Sequence, residues 1–212
     1  MTRRRRTWLL TVAVLATVAG LTPVLLPGSA GARGRSTKMA FRDAVIPAVF
    51  KDGIASSARL AGVDASTLIE VAPAGVSPST AAFVVGHGRP GDMVSFLTAQ
   101  SFTNFRAVAE VANQRELTVV AAAQPDANGD TGHVQLLGIA APDVTKATLE
   151  LNDGSKTPVQ LIRVGLSGYL FFTYVSDDPP TFPRSAQVYD AAGAERQRED
   201  LGGAIAPPKN VS

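Results

Sequence analysis

The chain has 212 residues, 45% hydrophobic and 18% charged, with 20 basic and 18 acidic side chains and no cysteine. The absence of cysteine excludes disulfides, thiolate metal sites, a cysteine nucleophile and a lipidated cysteine. The basic character is local: Arg3 to Arg6 account for four cations, and residues 1–32 hold no acid, so the remainder carries 16 basic and 18 acidic residues, a net charge of −2. With no basic patch outside the leader, nucleic acid is excluded as a partner.

Arg3-Arg4-Arg5-Arg6 precede an uncharged run, Trp8 to Leu26, and Ala30-Gly31-Ala32 fits a small-x-small cleavage pattern. Residues 1–32 are therefore expected to be an export helix, cut as a signal peptide or retained as a membrane anchor. Both outcomes make the protein secreted or extracytoplasmic, with membrane contact only through this segment. Arg5-Arg6-Thr7-Trp8-Leu9-Leu10 is similar to a twin-arginine signal but is read as a generic basic region.

Residues 33–66 are expected to be a linker with a short helix over Met39 to Phe50, where Ile46, Phe50 and Ile54 recur every four residues. Pro47 opposes a helix interior there, and Asp52-Gly53 reads as a turn. Residues 67–195 read as a β-rich domain. Strands are expected at Leu68–Ala72 (Glu70 facing away from Ile69 and Val71), Ala81–Val85, Met93–Thr98, Ala107–Ala112 and Leu117–Ala123. His133–Ile139 follows, with a bulge at Leu136-Leu137, then Lys146–Leu151, the hairpin turn Asn152-Asp153-Gly154-Ser155, and Thr157–Val164. Tyr169–Val175 is almost continuously apolar, so it is expected to be a central strand buried on both faces, and Ser185–Tyr189 closes the set. A soft boundary is placed near residues 124–132 and a flexible tail at 196–212. The fold class is mostly β: an antiparallel β-sandwich or barrel-like sheet after the export helix.

The candidate chemistry is sparse. Gly86-His87-Gly88-Arg89-Pro90-Gly91 matches G-x-G-x-x-G, but a strand rather than a helix follows, so it reads as a glycine-rich hairpin. Asp126, Asn128 and Asp130 place oxygen ligands at alternate positions, as calcium loops do, and are the one candidate metal set. Thr131 and Leu137 stand where an EF-hand needs glycine and glutamate, so the likeness covers half a loop. No other cofactor is indicated.

His87 and His133 are the only histidines. They could share a metal with Asp92 or Asp130, or serve a small envelope hydrolase with Asp126, Asp130, Asp177 or Asp178. Ser167, in Gly165-Leu166-Ser167-Gly168-Tyr169, is similar to a nucleophile elbow but precedes a strand and reads as a turn residue. Ser176-Asp177-Asp178-Pro179-Pro180-Thr181-Phe182-Pro183-Arg184 reads as a crossover between sheets, with Phe182 folded back on the core.

The run Gly138-Ile139-Ala140-Ala141-Pro142-Asp143-Val144 is followed by Leu149-Glu150-Leu151-Asn152-Asp153-Gly154, Gly168-Tyr169-Leu170-Phe171-Phe172 and Val188-Tyr189-Asp190-Ala191-Ala192-Gly193. This order resembles uncharacterised secreted β-rich proteins of high-GC Gram-positive bacteria over residues 117–195. The resemblance implies an exported β-rich fold and no catalytic residue. The functional expectation is a non-catalytic module whose partner is an envelope protein or polymer. A chain starting at Arg33 is expected to be soluble with a β-type circular dichroism spectrum; a helix-dominated spectrum would refute this architecture.

Overall fold

A computed structural model describes residues 34–75, 81–98, 101–125 and 131–202; the expected export segment, residues 1–32, lies outside them. The protein is mostly β, with three antiparallel sheets, two α-helices among the described residues, and no closed barrel. The first sheet collects β1 (Ser36–Ala40), β2 (Ile69–Pro73), β3 (Ala82–Gly88), β4 (Gly91–Leu97) and β5 (Arg106–Ala107), with α1 (Ala48–Leu60) between β1 and β2 and α2 (Val108–Ala112) after β5. The central sheet begins with the hairpin of β6 (Leu117–Pro125) and β7 (Thr131–Ala140), and the third sheet with β8 (Lys146–Leu151) and β9 (Lys156–Val159). The chain returns to the central sheet as β10 (Ile162–Arg163) and β11 (Leu170–Ser176), in the order β10-β11-β7-β6. It ends in the third sheet as β12 (Pro183–Tyr189) and β13 (Glu195–Asp200), in the order β13-β12-β8-β9.

Strand alternation makes the layers. On one face of the central sheet Leu137, Ile139 and Phe171 join Val71, Phe83, Val85, Val94 and Phe96 of the first sheet. Phe83 is the hinge of this seam, with ring centroids 5.0 Å from Phe171 and 5.4 Å from Phe96. On the opposite face Val134, Leu136, Phe172 and Tyr174 join Ala147, Leu149, Ala186 and Val188 of the third sheet. The outer face of the first sheet is covered by α1 through Ile54 and Ala58. Glu70, on the face of β2 opposite Val71, is buried because this helical layer covers that face.

The expected central strand is β11, fully buried at Phe171, Phe172 and Tyr174. The expected bulge at Leu136-Leu137 is absent: the β7 register runs unbroken there against both neighbours. Two consecutive apolar residues signalled a strand with two dry faces, not a slip from one face to the other. Gly138 sits in this crowded strand because a Cβ there would lie 2.1 Å from the Phe172 ring.

Other expectations are corrected. Residues 34–38 are not a free linker. Gly34 O accepts from Gln160 N, Arg35 O from Ala74 N, and Ser36 Oγ from Thr173 N, each at 2.9 Å. This short segment ties together the β9–β10 connection, the end of β2 and β11 as β1 begins. The helix lies after Pro47 rather than over Met39–Phe50, because proline is tolerated ahead of the first turn but not within it. Asp52-Gly53 therefore falls inside α1, where the missing Cβ of Gly53 admits the Phe102 ring, which a Cβ would meet at 2.6 Å.

The strand expected over Ala107–Ala112 ends at Ala107 in β5, and Val108–Ala112 is helical. Val108 and Ala112 are buried four residues apart on α2, which Asn113 closes in the left-handed conformation at φ 49°. Thr157–Val164 divides into β9 and β10, which belong to different sheets. On either side of residues 126–130, β6 and β7 pair from Leu117↔Ala140 to Pro125↔Thr131.

The expected tail begins in fact as β13, paired along β12. Its charges find partners: Arg196 bonds Glu116 at 2.6 Å and Asp143 at 3.0 Å, Arg198 bonds Glu150, and Glu199 bonds Arg115. Residues 203–212 lie outside the described residues. Gly138→Ala is expected to lower stability by about 1–3 kcal/mol, the usual cost of overfilling a tight core, read as a lower midpoint in urea. An unchanged midpoint would mean that the Phe172 ring moves freely.

Candidate functional site

The chemistry-bearing side chains gather in two histidine–aspartate pairs. The first lies on the β3–β4 hairpin, where Gly86–Gly91 forms the glycine-rich turn expected for it and His87 stands opposite Asp92. His87 Nδ1 is 3.4 Å from Asp92 Oδ1; the histidine side chain is 52% exposed and the aspartate 1%. The second carboxylate oxygen, Oδ2, accepts the backbone N–H groups of Leu166 at 2.7 Å and Ser167 at 2.6 Å. These belong to the loop between β10 and β11, more than seventy residues away in sequence.

Asp92 thus holds a distant loop against the first sheet. Burial pushes its pKa up, but bonds from the Ser167 backbone and side chain, His87 and Leu166 outweigh this, and the carboxyl lies below its ordinary value. Gly165 makes the approach possible. Its φ of +76° suits glycine, and a Cβ would lie 2.3 Å from Asp92 Oδ2. Arg163 grips the far side of the loop through Gly168 O at 2.7 Å and Pro142 O at 3.3 Å. Ser167 is therefore a held turn residue, as its sequence context suggested. Its side chain turns to the carboxylate rather than to a histidine.

The second pair lies at the other end of β11. His133, 8% exposed on β7, places Nδ1 3.3 Å from Asp177 Oδ1 and Nε2 3.0 Å from the Gln135 side-chain nitrogen. Both ring nitrogens are thereby occupied. The backbone of the adjacent Asp178 belongs to the crossover turn: its carbonyl accepts from Thr181 Oγ1 at 2.8 Å. The segment from Ser176 to Pro183 carries the chain from the central to the third sheet, with Phe182 buried against the third-sheet core, as expected.

β11 separates the two pairs by seven residues, roughly 20 Å of extended chain. His87 and His133 therefore cannot share a metal. Among the described residues no group of three or more His, Asp or Glu side chains is placed to hold one. Asp126, Asn128 and Asp130, the candidate calcium ligands, lie outside the described residues.

Two open grooves flank the third sheet. One of about 620 Å³ is lined by Arg35, Thr157, Gln160, Tyr174 and Thr181. Another of about 670 Å³ is lined by Lys146, Thr148, Lys156 and Tyr189. Neither is lined by a histidine.

No family model, no curated protein and no solved structure matches the chain.

The residues that sequence reasoning missed are Gln135, whose amide meets His133 Nε2, and Gly165, which admits Asp92. A positive-φ glycine leading a loop carries a weak signal in the sequence; the carboxylate that requires it carries none. Since the folded-state pKa of Asp92 is depressed, its contribution is complete above the ordinary aspartate value near 3.9 and is lost as pH falls through the lower folded value. Asp92→Asn is expected to cost about 2–3 kcal/mol at neutral pH, the range for charge-assisted hydrogen bonds. It should also flatten the fall in melting temperature below about pH 4. Equal acid sensitivity of the two proteins would show that Asp92 does not hold the loop.

Proposed function

We propose that the protein is an exported, non-catalytic β-sandwich module that binds or braces a protein or polymer of the cell envelope. The observation that carries the non-catalytic part is the engagement of both histidine pairs in the fold. Asp92 spends one oxygen on two loop N–H groups and the other on His87. His133 has both nitrogens occupied by Asp177 and Gln135. A general base acting on a nucleophile needs a hydroxyl within bond reach; the Thr67 hydroxyl beside His87 is engaged in the fold, accepting from the His87 backbone N–H at 3.0 Å and donating to Asp64 O at 2.7 Å.

Export rests on Arg3–Arg6, the uncharged run from Trp8 to Leu26, and Ala30-Gly31-Ala32. It is supported by the position of the clasp: Gly34, two residues beyond the expected cut, already bonds Gln160. Removal of residues 1–32 would leave every described hydrogen bond in place. The sandwich description rests on the three stacked sheets with their two shared cores.

His87 is the one feature that favours the alternative, a small envelope hydrolase. Its exposed ring, braced by a buried carboxylate, has the form of an oriented base. The two readings separate on partners and on processing. In a high-GC Gram-positive host, mass spectrometry of the chain recovered outside the cytoplasm is expected to read an N-terminus at Arg33, or an intact leader in the membrane fraction. The recovered chain is expected to co-sediment with washed cell envelopes, and His87→Ala should leave that binding unchanged. A full-length chain soluble in the cytoplasm would overturn export. Loss of envelope binding on His87→Ala would place His87 in the working site.

A further inference from the structure

Three sheets present six edge strands, and five of them carry the usual defences against pairing with another chain. β5 and β10 are two residues long. β9 carries Lys156 and Pro158, β1 carries Lys38, and five of the six residues of β13 are charged. β6 is the exception. It is nine residues long, Leu-Thr-Val-Val-Ala-Ala-Ala-Gln-Pro, with no charge and no proline before its last position, and Val120 is 37% exposed on it.

The free groups of this edge can be assigned. Leu117 N donates to Gln197 Oε1 at 3.1 Å, and Gln197 Nε2 donates to Leu117 O at 2.9 Å. Both backbone groups of Leu117 therefore point away from β7, and the side-chain amide of Gln197 imitates a neighbouring strand there. The register with β7 is uniform from Leu117 to Gln124, so alternation turns the N–H and C=O groups of Val119, Ala121 and Ala123 to the same side.

We propose that β6 pairs with β6 of a second copy of this chain, antiparallel about a two-fold axis through Ala121. In that register Ala121 faces its own copy and Val119 faces Ala123, and each of these pairs exchanges two N–H···O=C bonds. Leu117 falls opposite Pro125. Leu117 has spent its backbone groups on Gln197, and Pro125 has no N–H, so the two positions unable to pair meet each other at both ends. This self-complementarity selects a second copy over a foreign strand. The two central sheets join into one continuous eight-stranded sheet, closed by symmetry so that no further copy adds.

The absence of cysteine makes a single-cysteine test clean. A cross-strand pair with hydrogen bonds spaces its Cα atoms about 5.5 Å apart, within disulfide reach. The full chain carrying Ala121→Cys, at micromolar concentration under mild oxidation, is expected to form a disulfide dimer on the order of a hundredfold faster than Ser155→Cys, placed in the exposed β8–β9 turn, because pairing raises the effective concentration. Equal rates overturn the proposal. In sedimentation, Ala121→Pro removes an outward N–H and Val120→Lys charges the edge; each is expected to convert dimer to monomer while the β-type spectrum is kept. A wild-type chain that stays monomeric at every concentration, or a dimer indifferent to both substitutions, overturns it as well.

Discussion

The structure depends on one constraint: the central sheet must be dry on both faces. Phe171 faces the first sheet while Phe172 and Tyr174, its neighbours on the same strand, face the third. Burying the three side chains fully removes apolar area worth about 2 kcal/mol or more for each. No two-layer arrangement could bury them all. Once β11 and β7 are apolar on both sides, a sheet must lie against each face, and the first sheet, left with its own outer face apolar, recruits α1. Without disulfides, these shared cores are what hold the layers together.

Layers that share a core still need to be fixed in register, and polar contacts between distant segments do this. The clasp at Gly34, Arg35 and Ser36 bonds the β9–β10 connection, the end of β2 and β11 of the central sheet in turn. Asp92 ties the first sheet to the β10–β11 loop, and Arg196 with Gln197 ties the third sheet to the start of β6. The main titratable groups that would draw attention in a search for catalysis are thus occupied by the task of orienting sheets. A buried carboxylate accepting two backbone N–H groups is stabilising because its charge is matched by fixed dipoles. The same matching leaves it little freedom to exchange protons with a substrate at neutral pH.

The proposed function and the proposed pairing draw on different parts of the molecule. The first rests on what the histidines are bonded to, the second on an edge that lacks the usual defences. They are compatible: a two-fold pair would present the third sheet of each copy, with the grooves that flank it, on an extended central sheet. Two weak contacts to a repetitive envelope polymer would then act together.

What the sequence determined by itself is what depends on neighbours in the chain. The alternation of Lys146–Leu151 marked its strand, the apolar run of Tyr169–Val175 marked a strand with two dry faces, and the prolines around Phe182 marked a crossover. Local cues also misled where a local pattern had two solutions. Ala107–Ala112 carries both a strand and a helix period, and burial of Val108 and Ala112 against the core chose the helix. Arg196–Asp200 is charged like a tail, and only partners on other strands make it β13. The pairing of His87 with Asp92 lay within one visible hairpin. The loop held by Asp92, the engagement of His133 by Gln135 and Asp177, and the clasp of the N-terminal residues join segments from two to more than a hundred residues apart. Tertiary structure alone decided the long-range contacts, because no periodicity along the chain encodes which distant backbone groups a carboxylate or a hydroxyl will meet.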